Sequence, residues 1–246
     1  LHPILFKLPG FTFYTQTLFF IIAFIAGLLI AVHEGKRFAI SQLDITNTVL
    51  WGFISAILGA RLLFMVIHWK TSSFSLSEIC ILGAEDGGFS FHGGLLAGGL
   101  ASFLAARYYQ IHIWRLADVL APGLAGAMFF MRLGCLFNGC DYGVVTTVPW
   151  GIFLHGANRH PIQLYEGVGN LLLLPVLMVF NKKPVQPGHT FLFYMLFSGL
   201  IRFGVDFYRE EYDRVWNLFT IPQLLAIGIA VFAAFSLYRK IVAKHG

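Results

Sequence analysis

The sequence predicts an all-α, polytopic membrane protein of seven transmembrane helices. Three observations carry that expectation. Hydrophobic residues make up 57% of the 246 residues and charged residues 12%, with a mean hydropathy of +0.73, which is too apolar for a water-soluble globule of this length. Apolar stretches recur at the roughly 17–25 residues that a helix needs to cross a bilayer. Lysines and arginines gather in the short polar connections between those stretches, as they do beside membrane spans.

Taken in order, the spans are expected from Phe11 to Val32, Val49 to Trp69, Gly94 to Tyr109, Ala117 to Phe137, Gln163 to Phe180, Thr190 to Tyr208 and Leu218 to Tyr238. The third is short. Pro122, Pro175 and Pro222 lie inside spans or near their starts, where membrane helices tolerate proline better than soluble ones do. The first span has no upstream basic region and no small-residue cleavage motif, so it reads as a retained helix. No repeat of 20 to 50 residues and no low-complexity segment interrupts the pattern. A single integral membrane domain over residues 1–246 is expected.

Orientation follows from the basic clusters. Lys36 and Arg37 follow the first span, Arg107 and Arg115 flank the connection after the third, Lys182 and Lys183 follow the fifth, and Arg239, Lys240 and Lys244 follow the seventh. All fall on one side, which should be cytoplasmic. The amino terminus then lies outside and the carboxyl terminus inside. Opposite loops hold Glu78, Glu85, Asp86, Asp141, Glu210, Glu211 and Asp213. The net charge of +5 does not argue for nucleic acid, because there is no polybasic tract or aromatic-basic stripe; anionic lipid headgroups are the simpler partner.

Three arginines sit at membrane depth: Arg61 in Leu58-Gly-Ala-Arg61, Arg132 in Phe130-Met-Arg132-Leu-Gly134, and Arg202 in Gly199-Leu-Ile-Arg202-Phe-Gly204. A guanidinium cannot shed its charge, so such a residue usually faces a protein interior or wet cavity. On the expected topology Arg61 and His68 lie toward the outer end of the second span, His92 opens the third, Arg132 closes the fourth, and Arg202 with Asp206 ends the sixth. Like charges from separate helices at one depth suit a phosphate, whose oxygens match the planar arginine fork. The ordinary alternative is that each arginine snorkels to headgroups or pairs with a structural acid.

His92 precedes Gly93-Gly94, where a headgroup could approach a helix start, and its imidazole can accept a proton near neutral pH. It could equally be a hydrogen-bonding helix-end residue. His160 lies in Asn158-Arg-His160-Pro-Ile-Gln163-Leu-Tyr-Glu166; Gln163 and Glu166 are one turn apart and can face one cavity, or the segment can simply cap a helix. Cys80, Cys135 and Cys140 have no metal-ligand spacing, so no metal and no cofactor is expected. Cys135 and Cys140 could be two small buried thiols, a disulfide on an oxidising face, or, for Cys140 beside arginines, a nucleophile.

Taken together, His92-Gly-Gly-Leu95, Arg132-Leu-Gly134 with Asn138-Gly139 and Tyr142-Gly143, Arg159-His-Pro-Ile-Gln-Leu-Tyr-Glu166 and Gly199-Leu-Ile-Arg-Phe-Gly-Val-Asp-Phe-Tyr-Arg209 resemble the bacterial prolipoprotein diacylglyceryl transferase family. Phe13-Tyr14, Gly59-Ala-Arg61 and Ala117-Asp-Val-Leu-Ala-Pro122 extend the resemblance along nearly the whole chain. It implies an inner-membrane transferase, with its active site facing the outer leaflet, that moves the diacylglyceryl group of phosphatidylglycerol to the lipobox cysteine of a preprolipoprotein and releases glycerol phosphate. Arg132 and Arg202 would hold the phosphate, His92 or a nearby carboxylate would assist deprotonation, and Tyr14, Asn138, Gly143, Asp206 and Arg209 match further site positions. Where the family motif reads Gly-Arg-x-Gly-Asn-Phe-x-Asn-Gly-Glu, this chain has Met131, Cys135 and Cys140, and Asp141 beside Cys140 could supply the charge of the replaced glutamate; Ser198 replaces a tyrosine, and Asp206 is shorter than the usual acid. A divergent member using another lipid or acceptor, or a noncatalytic lipid- or lipoprotein-binding relative, is the alternative. A transporter should show internal repeats and broken helices near the midplane and an intramembrane hydrolase a G-x-S-x-G elbow; the sequence shows none of these.

Overall fold

The apolar runs become seven helices among the described residues: α1 Thr15–Gly35, α2 Gln42–Ile67, α3 Phe91–Tyr108, α4 Ile113–Asn138, α5 Ile162–Asn181, α6 His189–Asp206 and α7 Ile221–His245. The computed structural model describes residues 2–8, 11–69, 88–183, 186–210, 214–215 and 219–245. Most of the long connection after Trp69, with Glu78, Cys80, Glu85 and Asp86, lies outside the described residues, as do Glu211 and Asp213. Five helices, α1 with its following turn, α2, α4, α5 and α7, are long and apolar enough to cross a membrane. The chain is thus a mostly helical membrane protein. The other two helices, α3 and α6, have 18 residues each and are diluted by His92, four glycines and Arg107 in the first case and by Arg202 and Asp206 in the second.

Among the described residues three small antiparallel strand pairs accompany the helices: β1 Ile4–Leu8 with β2 Phe11–Tyr14, β3 Ile152–Leu154 with β4 Ala157–Arg159, and β5 Arg214–Val215 with β6 Phe219–Thr220. The first shortens the expected opening span. Phe11–Tyr14 is a strand, with Phe13 stacked on Phe6 at 5.1 Å, because a short apolar run carries no period that separates strand from helix. Helix α1 then starts at Thr15, whose backbone N–H donates to Pro3 and whose hydroxyl donates to His2. Helix α2 begins earlier than expected, at Gln42, since the Thr46 and Thr48 hydroxyls donate to the carbonyls one turn back and their polarity costs the helix little.

The chain forms two compact units, Leu1–Phe38 with Ala117–Gly246, and Ala39–Leu116. In the second, α2 and α3 pack through small residues. A Cβ on Gly93 would collide with the Gly59 carbonyl and the Leu63 side chain, and one on Gly98 would crowd Ala56 and the Gly52 carbonyl less severely, at 2.9 and 3.0 Å. Only bare backbone permits this approach, the usual device for joining helices where both sides are lipid-like.

In the first unit Ala125, Leu173 and Leu177 form a core with Leu174, Phe193 and Tyr194, joining α4, α5 and α6. Near the start of α4, buried Asp118 accepts the Gly188 and Phe191 N–H groups at 2.6 and 2.9 Å. Gly188 has no side chain to cap α6, so a carboxylate from another helix satisfies the orphan donors and the positive helix end. Asn181 links the Asp118 carbonyl to Glu34, whose carboxylate also accepts Arg37. These bonds fasten α1, α4, α5 and α6 at one end.

Overpacking the α2–α3 seam gives a direct check. Gly93→Leu should lower stability by about 1–3 kcal/mol or more, read as a drop in melting temperature in detergent. Gly99→Leu, whose added Cβ meets nothing within 4 Å, should melt like the parent; equal melting of both variants would contradict backbone contact at Gly93.

Candidate active site

Helix α4 stops at Asn138-Gly139 in a Schellman motif. Gly139 takes φ +77°, its N–H donates to Leu136 and the Cys140 N–H reaches back to Cys135, both at 3.1 Å. In that motif the residue after the glycine packs on the residue three before the cap, and here those two residues are Cys140 and Cys135. The thiols are free, and Cys140 Sγ donates to the Cys135 carbonyl at 3.5 Å. Their spacing of five is therefore that of a helix-end contact filled by two small, soft side chains.

The next residue turns the chain again. Asp141 has φ +56°, a left-handed conformation that aspartate tolerates better than most residues, and this aims its carboxylate back over the last turns of α4. Arg132 Nη1 donates to Asp141 Oδ2 at 2.8 Å and Arg132 Nη2 to Glu166 Oε1 at 2.7 Å. The other Glu166 oxygen accepts Arg202 Nη1 at 3.1 Å, and Arg202 Nε reaches Asp206 Oδ2 at 3.2 Å. Arg209 closes the circuit, with Nε 3.2 Å from Asp206 Oδ1 and Nη1 2.9 Å from Asp141 Oδ1. Three arginines and three carboxylates alternate in a closed ring. Each acid gives one oxygen to each neighbouring arginine; five of the six links are charge-assisted hydrogen bonds, and the sixth, Arg209 to Asp206, is an ion pair without hydrogen-bond geometry.

Several segments hold the ring in register. Gly167 lets α5 run close beside Arg132 and Phe129 of α4, bringing Glu166 to the guanidinium. After α6 the chain pairs with the segment following α4: Gly143 bridges Arg209, and the Val144 N–H donates to Tyr208. A Cβ on Gly143 would meet the His160 side chain and Ile162, so glycine is needed for this approach. Gln163 Nε2 donates to the Cys140 carbonyl at 2.7 Å, pinning the turn before Asp141.

Of the residues predicted from sequence, Arg132, Asp141, Glu166, Arg202, Asp206 and Arg209 meet in the ring, with Cys135, Cys140, Gly143 and Gln163 around it. Asn138 is exposed at the end of α4. His160 shares a 3.0 Å hydrogen bond with Tyr165, whose hydroxyl also receives Trp150 Nε1 at 2.7 Å, and its ring lies 4.9 Å from Tyr208. Tyr14 ends β2, partly exposed. Arg61 and His92 belong to the other unit. There the buried Arg61 donates to the Gly88 carbonyl at 2.8 Å and lies over Phe64 and Phe89, while His92 is exposed in the first turn of α3.

Sequence reasoning missed Arg159. Its guanidinium donates to the Leu154 and Gly143 carbonyls, stacks 4.7 Å from the Tyr142 ring and pairs with Glu210, so it staples the β3–β4 pair to the segment carrying Gly143. The signal was the arginine beside His160, which is set aside when each motif is read alone.

Chemically the ring is a concentration of guanidinium donors at the ends of apolar helices, each able to grip a phosphate oxygen. The family model described as prolipoprotein diacylglyceryl transferase matches residues 3–239. The chain belongs to the prolipoprotein diacylglyceryl transferase family. A relative from Geobacter sulfurreducens, named phosphatidylglycerol–prolipoprotein diacylglyceryl transferase, is 36% identical over 236 residues, covering 92% of this chain and 90% of the relative. Relatives bearing the same name from Clostridioides difficile (29% over 205 residues, 83% and 82% covered) and Aliarcobacter butzleri (28% over 261 residues, 99% and 96% covered) are similar along most of their lengths.

Two stability tests address the transferase ring. Glu166→Gln removes the carboxylate shared by Arg132 and Arg202, whose Glu166 partner is only 5% exposed; breaking such a buried pair should cost about 3–5 kcal/mol, seen as a lower melting temperature. For Asp141, burial alone would raise the carboxyl, but Arg209 and Arg132 outweigh it and hold it below the usual carboxylate range. A depressed folded value means that its contribution is present above the unfolded value of about 4 and is lost as pH falls through the folded one. The melting-temperature gap between parent and Asp141→Asn should hold at neutral pH and shrink below about pH 4; a gap constant down to pH 3 would refute it.

Proposed function

We propose that this protein transfers the diacylglyceryl group of phosphatidylglycerol to the lipobox cysteine thiol of a preprolipoprotein, forming a thioether and releasing glycerol phosphate. The observation that supports it most is the meeting of Arg132, Arg202 and Arg209 in one ring in a chain whose relatives carry that activity in their names. The attacking sulfur belongs to the acceptor, so the enzyme needs no nucleophile of its own. It needs a lined-up glycerol carbon, positive charge where the phosphate departs, and a route for the thiol proton.

In this reading Arg132 and Arg202 hold the phosphate and stabilise the leaving group, and Asp206 and Glu166 hold those arginines. His92, or a carboxylate, takes the thiol proton. Tyr14, Arg61, Asn138, Gly143, His160, Gln163 and Arg209 contact or shape the substrate site. No metal or cofactor is called for by a displacement whose charge is met by guanidinium groups. The whole chain acts as a single transferase domain, with all seven helices spanning the bacterial inner membrane, amino terminus outside, carboxyl terminus in the cytoplasm, and the site opening to the outer leaflet. The basic clusters at Lys36-Arg37, Lys182-Lys183 and Arg239-Lys240 support that orientation. The thiols at Cys135 and Cys140 favour a second reading, a divergent member with another lipid or acceptor preference.

The test is incubation of the purified chain with phosphatidylglycerol and a lipobox peptide, followed by mass spectrometry of the peptide. A one-to-one diacylglyceryl adduct is expected from the parent. Arg132→Ala and Arg202→Ala, and each Lys variant, should insert into the membrane yet lose transfer by a factor of about a hundred or more, as when a transition-state donor is removed. Full activity in both alanine variants would defeat the phosphate-clamp assignment. His92→Gln with the parent's pH profile would remove His92 as base.

A further inference from the structure

The three acids of the ring are not equivalent. Glu166 and Asp206 lie on helices and their side chains are 5% and 0% exposed, whereas that of Asp141 lies on a turn and is 30% exposed. Moving a buried carboxylate out would leave its arginines facing a dry interior. Moving Asp141 needs only a side-chain rotation toward water, because the backbone on either side is held by the Gln163 bond to Cys140 and the Gly143 bridge to Arg209.

Asp141 also has the geometry of a ligand. Its two oxygens reach one Nη atom each on Arg132 and Arg209, at 2.8 and 2.9 Å, as two oxygens of a phosphate group would between two forks. We propose that the Asp141 carboxylate is a resident anion, filling a slot between Arg132 and Arg209 that the phosphate of the glycerophospholipid substrate takes by displacing it.

This deepens the transferase reading and rests on it for the identity of the ligand. Charge bookkeeping fits the exchange. The ring is neutral with Asp141 seated and carries one positive charge once Asp141 swings out, matching the single negative charge of a phosphodiester. Cleavage leaves a phosphomonoester whose second ionisation lies near neutral pH, so negative charge grows on the group held by the vacated slot as it departs. Return of Asp141 then competes with the bound product and favours its release. Arg132 and Arg209 form the exchangeable half of the ring around Asp141, and Arg202, held by Glu166 and Asp206 in the permanent half, adds its charge to a phosphate seated in the slot.

The experiment uses the full chain in detergent micelles with radiolabelled glycerol phosphate as probe, measured by equilibrium binding. Asp141→Asn should bind it about tenfold more tightly, a change of about 1.4 kcal/mol, and Arg209→Gln about tenfold more weakly. Unchanged or weaker binding by a folded Asp141→Asn would overturn the proposal, as would unchanged binding by Arg209→Gln. The parent supplies a measurement that needs no variant to fold: carbodiimide labelling of Asp141 should rise when glycerol phosphate is added, and labelling that falls or stays level would overturn it. Probe binding with the Asp141 response but no peptide lipidation would leave the slot standing and end the transferase reading. Lipidation without the Asp141 response would do the reverse.

Discussion

A guanidinium that cannot be neutralised has to be answered wherever it is buried, and this fold answers three of them at once. Arg132, Arg202 and Arg209 are each held by two of the carboxylates of Asp141, Glu166 and Asp206, and each carboxylate is shared by two arginines. A chain of alternating charges open at one end would leave its last member half-satisfied; closure removes that end. Because the six groups come from α4, the turn after it, α5, α6 and the segment beyond α6, the ring also joins these elements. Replacing its members by apolar side chains could stabilise the fold, so the ionic solution points to a need for charge at that place.

The same unit is fastened far from the ring. Arg132 lies fourteen residues after Asp118 on α4, a rise of about 21 Å, and Asp118 caps the start of the helix that carries Arg202 near its other end. One carboxylate therefore aligns α6 with α4 at one extremity while Glu166 bridges their arginines at the other. Between them the contact of Ala125 with Leu173 and Leu177 is apolar and without direction. Polar bonds at both ends supply the register that van der Waals packing in a lipid-like setting does not.

How much of this the sequence disclosed depended on whether a residue's role was chemical or conformational. Arg132 and Arg202 stand out because charge inside an apolar run is rare, and the helices follow from run length. Seven helices were legible, but the opening strand at Phe11–Tyr14 was not, since four apolar and polar residues beside a helix look like part of it. Which acids meet which arginines is a three-dimensional matter: Gln163 and Glu166 share a helical face, yet one goes to the Cys140 carbonyl and the other to two guanidiniums. Asp141 was visible only as a charge beside Cys140, because its left-handed backbone, which decides its direction, has no signature beyond the preceding Asn138-Gly139. That dipeptide marks a helix stop, and from the stop the contact of Cys135 with Cys140 follows by counting.

The thiols can be placed by the reaction itself. Were Cys140 to attack the glycerol carbon, the product would be a thioether on the enzyme, and a sulfur bound to an unactivated carbon is a far poorer leaving group than phosphate. The step would consume the enzyme instead of passing the lipid on. A transferase of this kind must therefore keep its own sulfurs away from the reacting carbon while admitting that of its acceptor. The Schellman turn does this by local geometry: Cys140 Sγ is directed to the Cys135 carbonyl, the two thiols cover each other at the helix end, and the neighbouring charge that faces the arginines is the carboxylate of Asp141, which binds cations without competing for the alkyl group.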